Sequence, residues 1–346
     1  MGKEYKYVVA TQCVTFNHAA YILDTLHGFT IQETDFPTVY CVVDDASTDG
    51  EQAVLKDWAN EHLKVADDEK LWCEQSYGLR AVGHLVSDSD SLFVILLLKE
   101  NHYSSGQNKK KYSYIEPWCN DAKYLAYCEG DDYWIDSQKL KNQVRVLDAN
   151  PETTLVYSSF KTVDENGVQI IRPMYEGFKK SAVNGEALYL LLRRNFIISP
   201  TICMRNKMVQ EKLYINCPVI MDWSSFLVAA MFGDLYYLPD ETSSYRKVGS
   251  SMVNSYRDIV DNRGRVIKAY YSEEYLRAQY KRVSFIEHCR ILHSIADTCI
   301  VDRNWGLLKS GVRHPYFMLI FSEEFIVHLI NKCLKVSKSI FHSAKL

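Results

Sequence analysis

The chain has 346 residues, 47% hydrophobic and 24% charged, which is enough apolar material for a full globular core. Its formal net charge of −3 argues against a general nucleic-acid surface. Ten cysteines without a Cys-x-x-Cys pair argue against a zinc site or a disulfide framework, and they favour small buried thiols in a reducing compartment.

Membrane signals are weak in this sequence. The first residues contain no apolar signal region, and the longest purely apolar run, residues 92–98, is too short to span a bilayer. We therefore expect a cytoplasmic protein.

The first part of the chain alternates predicted strands and helices. Residues 7–15 are rich in β-branched side chains and predict a buried strand. Residues 18–32 have apolar side chains at helical spacing, with Asn17 as the candidate N-cap. A second apolar strand at 39–43 leads through the turn at 47–50 into another helix. This order predicts a βαβ unit and hence a parallel sheet.

Later segments extend the same pattern. Apolar runs predict further strands at residues 93–98, 124–128 and 155–160, and an amphipathic helix at 135–147. The second half is more mixed, with helices predicted at 185–194 and 222–232, and short strands at 200–205, 235–238 and 243–246. No element is assigned to residues 65–92. We predict an α/β fold with a mostly parallel central sheet flanked by helices, followed by a helical C-terminal extension.

An acidic turn follows the strand predicted at 124–128. Glu129, Asp131 and Asp132 place three carboxylates within four residues, and Gly130 separates the first two. Carboxylates crowded at the end of a buried strand repel each other and lose solvation unless a cation neutralises them. Glu129 and Asp131 can hold Mg²⁺ or Mn²⁺ and leave positions open for diphosphate oxygens. A solvated acidic turn is the alternative, and Asp132 can instead form local hydrogen bonds.

Two carboxylates end the second predicted strand. Asp44 and Asp45 stand where open α/β sheets bind ligands, and a carboxylate there can accept hydrogen bonds from a base or a ribose. Capping of the next helix by Ser47 or Asp49 is the structural alternative, and both can hold together.

The loop after the first strand and a lysine cluster have simpler explanations. Phe16, between Thr15 and Asn17, can stack on a planar base if it is exposed. From this segment alone, a core position for Phe16 with Asn17 as helix cap is preferred. The three lysines at 109–111 can touch phosphate, but a solvated loop is the preferred interpretation.

The second half contains two further candidate segments. Asp222 lies at a helix start between Met221 and Trp223, where partial burial can raise its pKa and suit it to act as a general base. A helix N-cap is the preferred explanation from this tripeptide alone. After the last predicted strand, the adjacent cations Arg246 and Lys247 can hold a diphosphate, and ordinary surface charge is an equal alternative.

Taken in order, these segments resemble the family 2 glycosyltransferases of the GT-A fold, of the type that builds bacterial surface polysaccharides. Three motifs carry the resemblance: Thr-Phe-Asn-His at 15–18, Val-Asp-Asp-Ala-Ser-Thr-Asp-Gly at 43–50, and Tyr-Leu-Ala-Tyr-Cys-Glu-Gly-Asp-Asp-Tyr-Trp at 124–134. The last is similar to this type's version of an Asp-x-Asp motif. The resemblance covers roughly residues 5–250.

The resemblance implies a role for each site residue. Phe16 would lie against the base, and Asp44 would bind the nucleoside. Asp131 would be the principal metal ligand, Glu129 would contact the ribose or the metal's water shell, and Asp222 would be the catalytic base. The predicted nucleotide-sugar site comprises Thr15, Phe16, Asn17, Asp44, Asp45, Glu129, Gly130, Asp131, Asp132, Tyr245 and Arg246. Asp131 and Glu129 would be the ligands of Mn²⁺ or Mg²⁺.

The implied activity is an inverting, metal-dependent glycosyl transfer. The donor would be a nucleotide-diphosphate sugar, with a UDP-sugar favoured, and the acceptor a saccharide or a lipid-linked molecule in surface polysaccharide synthesis. Residues 1–256 would form the catalytic domain, with a nucleotide-binding half at 1–135 and an acceptor-binding half at 136–256. A sugar-nucleotide nucleotidyltransferase is disfavoured because a Gly-rich basic loop is missing after the first strand, and a non-catalytic binding protein on the same fold is a third hypothesis.

Residues 257–346 are predicted to form the helical extension. Within it, residues 322–342 carry an apolar helical stripe with added lysines. A basic amphipathic helix of this kind can lie on the inner face of a membrane as a peripheral contact. Packing on the catalytic domain, or on a second copy in a homodimer, is the preferred alternative.

Overall fold

The computed structural model describes residues 4–65, 69–193, 195–207 and 221–248, with single positions at 293, 296, 299, 300, 321, 322, 325 and 326. Its strands are β1 (Tyr7–Thr15), β2 (Thr38–Asp44), β3 (Leu63–Lys64), β4 (Trp72–Gln75), β5 (Gly78–Leu85), β6 (Asp88–Leu98), β7 (Ala122–Tyr127), β8 (Tyr133–Trp134), β9 (Thr153–Val163), β10 (Cys203–Arg205) and β11 (Asp234–Arg246). Its helices are α1 (Ile22–Thr30), α2 (Glu51–His62), α3 (Asn108–Ser113), α4 (Glu116–Cys119), α5 (Lys139–Ala149), α6 (Pro173–Lys179), α7 (Leu188–Arg193) and α8 (Met221–Phe232), with a 3-10 turn at Ser199–Thr201.

The described strands form one mixed sheet in the order β3-β5-β6-β2-β1-β7-β10-β9-β11-β8, and β4 pairs with β5. The four central strands β6, β2, β1 and β7 are parallel, as the βαβ pattern predicts. Antiparallel pairs flank them on both sides, through β5 and through β10. The predicted α/β fold with helices around a central sheet is confirmed, and besides the four central strands β9 and β11 also pair in parallel.

The register of the central strands determines where the loops emerge. Thr15 at the end of β1 lies opposite Asp44 at the end of β2. On the other side of β1, Gln12 lies opposite Tyr127, the last residue of β7. Because parallel strands end at the same edge of a sheet, the segments that follow β1, β2 and β7 lie side by side.

Helix α1 packs beside the acidic turn. Leu26 and Phe29 are fully buried, and the Phe29 ring stacks on Tyr40 at 5.1 Å and meets Trp134 edge-on at 5.0 Å. Burying one such aromatic side chain stabilises the fold by about 2–3 kcal/mol. Gly28 permits α1 to approach β8 this closely, since a Cβ at this position would lie 2.7 Å from the backbone nitrogen of Trp134. The core therefore holds β8, directly after the acidic turn, against α1.

The start of α1 differs from the prediction. The helix begins at Ile22, and its N-cap is Tyr21, so the predicted cap at Asn17 is wrong. Asn17 has a positive φ of 58°, and its side-chain oxygen accepts a hydrogen bond from the Thr48 N–H at 2.8 Å. Asn17 thus links two loops because a partner 31 residues away satisfies its side chain.

Two other segments also differ from the sequence pattern. Residues 65–92, left unassigned above, contain the antiparallel strands β4 and β5 and the start of β6 in their described part. The two short strands predicted at 235–238 and 243–246 are one strand, β11, with register shifts between Leu238 and Ser243. Pro239 lies in the irregular part, where a residue without an N–H can be placed in a sheet.

The chain divides into two compact units. The first consists of residues 1–186, 196–215 and 228–251 and contains the sheet. The second consists of residues 187–195, 216–227 and 252–346. In its described part, the indole N–H of Trp223 donates to the carbonyl of Leu191 at 2.9 Å. The predicted boundaries after residues 135 and 256 stay predictions, and most of the amphipathic segment at 322–342 lies outside the described residues.

Six of the seven described cysteines are buried and none of the seven is in a disulfide, which fits the expected small buried thiols.

In the part of the chain that the structure describes, no helix has the length and apolar character needed to cross a bilayer.

Candidate functional site

Three of the predicted segments meet at the carboxyl edge of the central strands. The Asp45 N–H donates to the Thr15 carbonyl at 2.9 Å, which joins the loop after β2 to the loop after β1. The Gly130 N–H donates to the Val14 carbonyl at 3.2 Å, which joins the acidic turn to the other side of β1. The loop after β1 therefore lies between the two carboxylate segments, and Phe16 in that loop is 42% exposed.

The acidic turn has a tightly held backbone. A Cβ on Gly130 would lie 2.0 Å from the Thr15 hydroxyl oxygen, so only glycine fits. The hydroxyl of Thr25 lies 3.1 Å from the Gly130 carbonyl and 2.7 Å from the Asp132 carbonyl. These contacts fix the direction in which the neighbouring carboxylates leave the chain.

The carboxylates of the turn have different surroundings. Asp132 is buried and accepts a hydrogen bond from the Arg246 N–H at 2.8 Å, as its local alternative predicted. Burial, with Asp131 and Glu129 nearby, raises the pKa of Asp132 well above its usual value. Asp131 is partly exposed, and its carboxylate lies 4.0 Å from Nε2 of His18. The turn thus keeps one carboxylate inside and presents Asp131 at the surface.

A divalent cation fits this turn in a limited way. Among the described residues, no group of three or more His, Cys, Asp or Glu side chains is arranged to hold a metal ion. Mg²⁺ in nucleotide sites is commonly held by one or two carboxylates and completed by phosphates and water. Asp131 and the partly exposed Glu129 match that smaller set.

Asp44 has an unsatisfied oxygen. The side chain is fully buried, and its Oδ1 accepts hydrogen bonds from the Ser47 N–H at 3.1 Å and from Gln52 at 2.6 Å. Its Oδ2 is buried and has no hydrogen-bond partner among the described residues. A buried acceptor without a donor costs about 1–3 kcal/mol. A ligand that brings an N–H or O–H group to this oxygen would remove that cost.

The pH dependence of stability tests this description of Asp44. Burial raises its pKa, against the hydrogen bonds from Ser47 and Gln52, so the folded state binds the proton more tightly than the unfolded state. The stabilisation from this group is therefore present at low pH and lost as the pH rises through the folded-state pKa. We expect Asp44→Asn, which cannot ionise, to gain stability relative to wild type as the pH rises above about 4, the usual pKa of an aspartate in an unfolded chain. Urea unfolding followed by circular dichroism at a series of pH values measures this difference.

Asp148 provides the matched control with the opposite sign. Burial raises its pKa, but hydrogen bonds from Lys123 and Tyr124 outweigh that effect and hold the pKa below its usual value. Asp148→Asn should therefore lose stability relative to wild type as the pH rises from the lowered folded-state pKa of Asp148 to its unfolded-state value of about 4. Parallel pH profiles for wild type and Asp44→Asn would contradict the assignment.

The carboxylate of Asp45 is bound by groups of the protein itself. It accepts the N–H groups of His102 at 2.8 Å and Tyr103 at 3.1 Å, and it pairs with Lys111 at 2.9 Å. Lys111 is buried, so the expected solvated loop is wrong for this lysine. Burial lowers the pKa of Lys111, and Asp45 opposes that change. We assign Asp45 to holding the loop that contains Tyr103 beside the site.

Glu51 was missed by the sequence analysis. It is fully buried and accepts hydrogen bonds from the Thr15 hydroxyl, from the His18 N–H at 2.9 Å and from the Ser47 hydroxyl at 2.8 Å. It therefore connects the loops after β1 and β2. An acidic residue in the first turn of a helix usually serves the helix dipole, and no local signal shows that its partners lie in another loop.

Arg246 lies at the acidic turn but donates inward. Its side chain is buried and gives hydrogen bonds to the carbonyls of Asp131 at 3.0 Å and Glu165 at 3.1 Å, and to the Asp24 carboxylate at 2.6 Å. Its guanidinium also lies 4.5 Å from the centre of the Tyr21 ring. These contacts hold the turn in place.

Tyr245 is part of an aromatic cluster beside the turn. Its ring meets those of Tyr175 and Phe160 edge-on, at 5.4 Å and 6.4 Å. Burial is the main cause that raises the pKa of Tyr245 well above its usual value. Its neighbour Arg246 turns toward the acidic segment.

Asp222 belongs to the second unit. It lies in the first turn of α8, and its carboxylate accepts the N–H of Trp223 at 2.6 Å. Asp222 therefore lies near the helix start, as the sequence predicts. The role of Asp222 as a general base stays a prediction.

Comparison with known sequences gives distant relatives. No family model matches this chain. Uncharacterized proteins of Mycobacterium bovis and Mycobacterium tuberculosis are 28% identical over 235 residues. The match covers 68% of this chain and 57% of each relative, so the chain spans little more than half the length of those proteins.

Comparison with solved structures gives similarities of low score. Residues 1–349 of S. aureus TarS in complex with UDP align over 92% of this chain and 89% of that chain, with 15% identity and a TM-score of 0.48. A mannosyltransferase from Pyrobaculum calidifontis in complex with GDP-Man and Mn²⁺ aligns over 94% of this chain and 81% of that chain, with 17% identity and a TM-score of 0.47. Because these scores and identities are low, we base the proposed function on the residues of this chain.

Proposed function

We propose that this protein is a glycosyltransferase that uses a nucleotide-diphosphate sugar. One observation carries the proposal. At the carboxyl edge of the parallel strands, Asp44 Oδ2, a buried acceptor to which no described residue donates, and an acidic turn lie on opposite sides of the exposed Phe16. An open α/β sheet binds ligands at this edge. The Phe16 ring, the Asp44 oxygen and the acidic turn suit the base, the ribose and the phosphates of a nucleotide.

The first contacts concern the nucleoside. Phe16 offers an exposed ring on which a planar base can stack. Asp44 Oδ2 would accept a hydrogen bond from the base or the ribose and so gain its missing partner. Glu51 holds the loop that carries Phe16 through its hydrogen bonds to Thr15 and His18, so less of this loop has to be ordered on binding. We favour a UDP-sugar as the donor on the sequence motifs.

The acidic turn would handle the phosphates. Asp131 and Glu129 would hold Mn²⁺ or Mg²⁺, and a bound cation would supply positive charge that stabilises a departing diphosphate. Arg246 holds the Asp131 backbone in place through its carbonyl. A preorganised turn of this kind has little to rearrange as negative charge develops on the leaving group.

The chemical step we propose is a direct displacement. A hydroxyl oxygen of the acceptor attacks the anomeric carbon, the bond from that carbon to the diphosphate oxygen breaks, and the configuration inverts. Asp222 takes the proton of the attacking hydroxyl as general base. A saccharide or lipid-linked acceptor and a place in bacterial surface polysaccharide synthesis are parts of the proposal that rest on the sequence motifs alone.

A thermal-shift screen tests the proposed function. Nucleoside diphosphates, their sugars and the matching monophosphates are added with and without Mn²⁺. We expect diphosphates and sugar donors to raise the melting temperature in the presence of the metal, since a ligand at 100 times its Kd stabilises the native state by about 2.7 kcal/mol. Asp44→Asn should reduce the shift. If no nucleotide changes the melting temperature under either condition, the proposed function is wrong.

A further inference from the structure

Lys247 is a buried cation for which the described residues offer no hydrogen-bond partner. It directly follows β11, its exposed fraction is 9%, and its backbone N–H donates to the Val163 carbonyl at 2.9 Å. Its side-chain Nζ is buried and has no hydrogen-bond partner in the described part of the chain. An ammonium group carries three donors, and burying it without an acceptor is costly. A ligand with anionic oxygens would offset that cost.

Aromatic rings form the floor of this position. Nζ lies 5.2 Å from the centre of the Tyr245 ring and 5.8 Å from the centre of the Tyr175 ring. The faces of such rings attract a cation, but they leave its N–H groups without acceptors. The rings therefore orient the ammonium and do not satisfy it.

Charges of both signs surround Lys247. Burial lowers its pKa and the nearby Arg172 lowers it further, while Asp132 and Asp131 on the acidic turn raise it. Two cations thus lie near each other, next to the carboxylates expected to hold a metal ion.

The adjacent cations Arg246 and Lys247, at the end of β11, have different contacts. Arg246 gives its N–H groups to the Asp131 and Glu165 carbonyls and to Asp24, all within the protein. The ammonium of Lys247 donates no hydrogen bond to any residue that the structure describes. Sequence alone could not separate these neighbours, because the difference lies in which acceptors each side chain reaches.

We propose that Lys247 is the direct protein ligand of the donor's diphosphate, with Arg172 as a second positive charge and Arg246 as a positioning residue for the acidic turn. This inference rests on the proposed function and names the subsite that would take the phosphates. The ammonium of Lys247 would donate to oxygens of the diphosphate, and a cation held by Asp131 would supply further positive charge to them. Its oxygens supply the acceptors that the ammonium lacks.

Calorimetry on Lys247 variants of the full chain tests the proposal. Wild type, Lys247→Met and Lys247→Arg are titrated with uridine monophosphate, UDP, GDP and inorganic pyrophosphate in MnCl₂. We expect Lys247→Met to bind UDP and pyrophosphate about 10- to 100-fold more weakly, which is the loss of one hydrogen-bonded charge contact, and Lys247→Arg to restore most of the affinity. The monophosphate should be affected least.

Lys179→Met is the matched control. Lys179 also lies over an aromatic ring, 5.5 Å from the centre of Phe160, but it pairs with Glu176 and Glu241 at 3.3 Å. Its loss should leave the nucleotide affinities unchanged. The melting temperature of Lys247→Met should equal or exceed that of wild type, because an unsatisfied buried ammonium is removed.

Each result decides between the inference and the proposed function. If wild type binds UDP and Lys247→Met binds UDP and pyrophosphate equally well, the inference is overturned and the proposed function stands. The inference is also overturned if Lys247→Met melts at a lower temperature than wild type and Lys247→Arg binds UDP and pyrophosphate as weakly as Lys247→Met does. Lys247 then has a structural role. If pyrophosphate binds through Lys247 but no nucleoside diphosphate binds, the anion site stands and the proposed function is wrong. Wild type that binds none of these ligands refutes both.

Discussion

Replacing Asp131 with alanine should remove the metal-dependent part of nucleoside-diphosphate binding. Asp131 is the partly exposed carboxylate of the acidic turn, and its backbone is fixed by the Arg246 guanidinium at 3.0 Å. Without this carboxylate, the turn loses the ligand that would hold Mn²⁺ against the phosphates. We expect calorimetry with UDP to give the same weak affinity with and without Mn²⁺, and transfer to be lost. The fold should remain, since this carboxylate lies at the surface.

Asp121 provides the control for this experiment. It directly precedes β7, whereas the acidic turn follows the other end of the same strand. Asp121→Ala should keep the effect of Mn²⁺ on UDP affinity. A wild-type response to Mn²⁺ in Asp131→Ala would rule out the metal site proposed for this turn.

Replacing Asp222 with asparagine should lower kcat by about 10²- to 10⁴-fold and leave the affinity for the nucleotide close to wild type. Asparagine has nearly the same shape, and its side-chain oxygen can still accept the Trp223 N–H, but it cannot take a proton from the acceptor hydroxyl. The measurements are steady-state transfer kinetics, calorimetry with UDP and a melting curve.

Asp234 separates this role from a structural one. It follows the far end of the same helix, α8, at the start of β11. Asp234→Asn should keep kcat near wild type. If Asp222→Asn turns over like wild type, Asp222 is only a helix-start residue; if it melts lower and loses UDP binding as well, its role is structural.

Local sequence predicted the parts of the fold that depend on short-range pattern. Strand β1 has the bounds predicted from its β-branched run, and β2 ends at Asp44, one residue beyond the predicted apolar run. These strands are specified by burial of consecutive apolar side chains, which is visible in a window of a few residues. Residues 65–92 were missed because their antiparallel pairing depends on partners in other strands and less on an apolar run.

The partners of the polar side chains could not be predicted in the same way. Thr15 and Glu51 are 36 residues apart, Asp45 and Lys111 are 66 apart, and the Arg246 and Asp24 side chains are 222 apart. Each pair forms only after the sheet has brought its loops together. The sequence pattern around Asp45 or Arg246 is the same whether the side chain faces a ligand or the protein interior.

Local sequence is therefore enough to identify the chemical groups at the carboxyl ends of β1, β2 and β7: an aromatic ring, paired aspartates and an acidic turn with a glycine. Which of these groups bind partners inside the protein depends on the three-dimensional fold. Asp45, Glu51 and Arg246 are bound by distant partners, while Asp44 Oδ2 and Lys247 Nζ have no hydrogen-bond partner among the described residues. The physical reason is that a buried polar atom must find its partner in space, and that partner can lie anywhere along the chain.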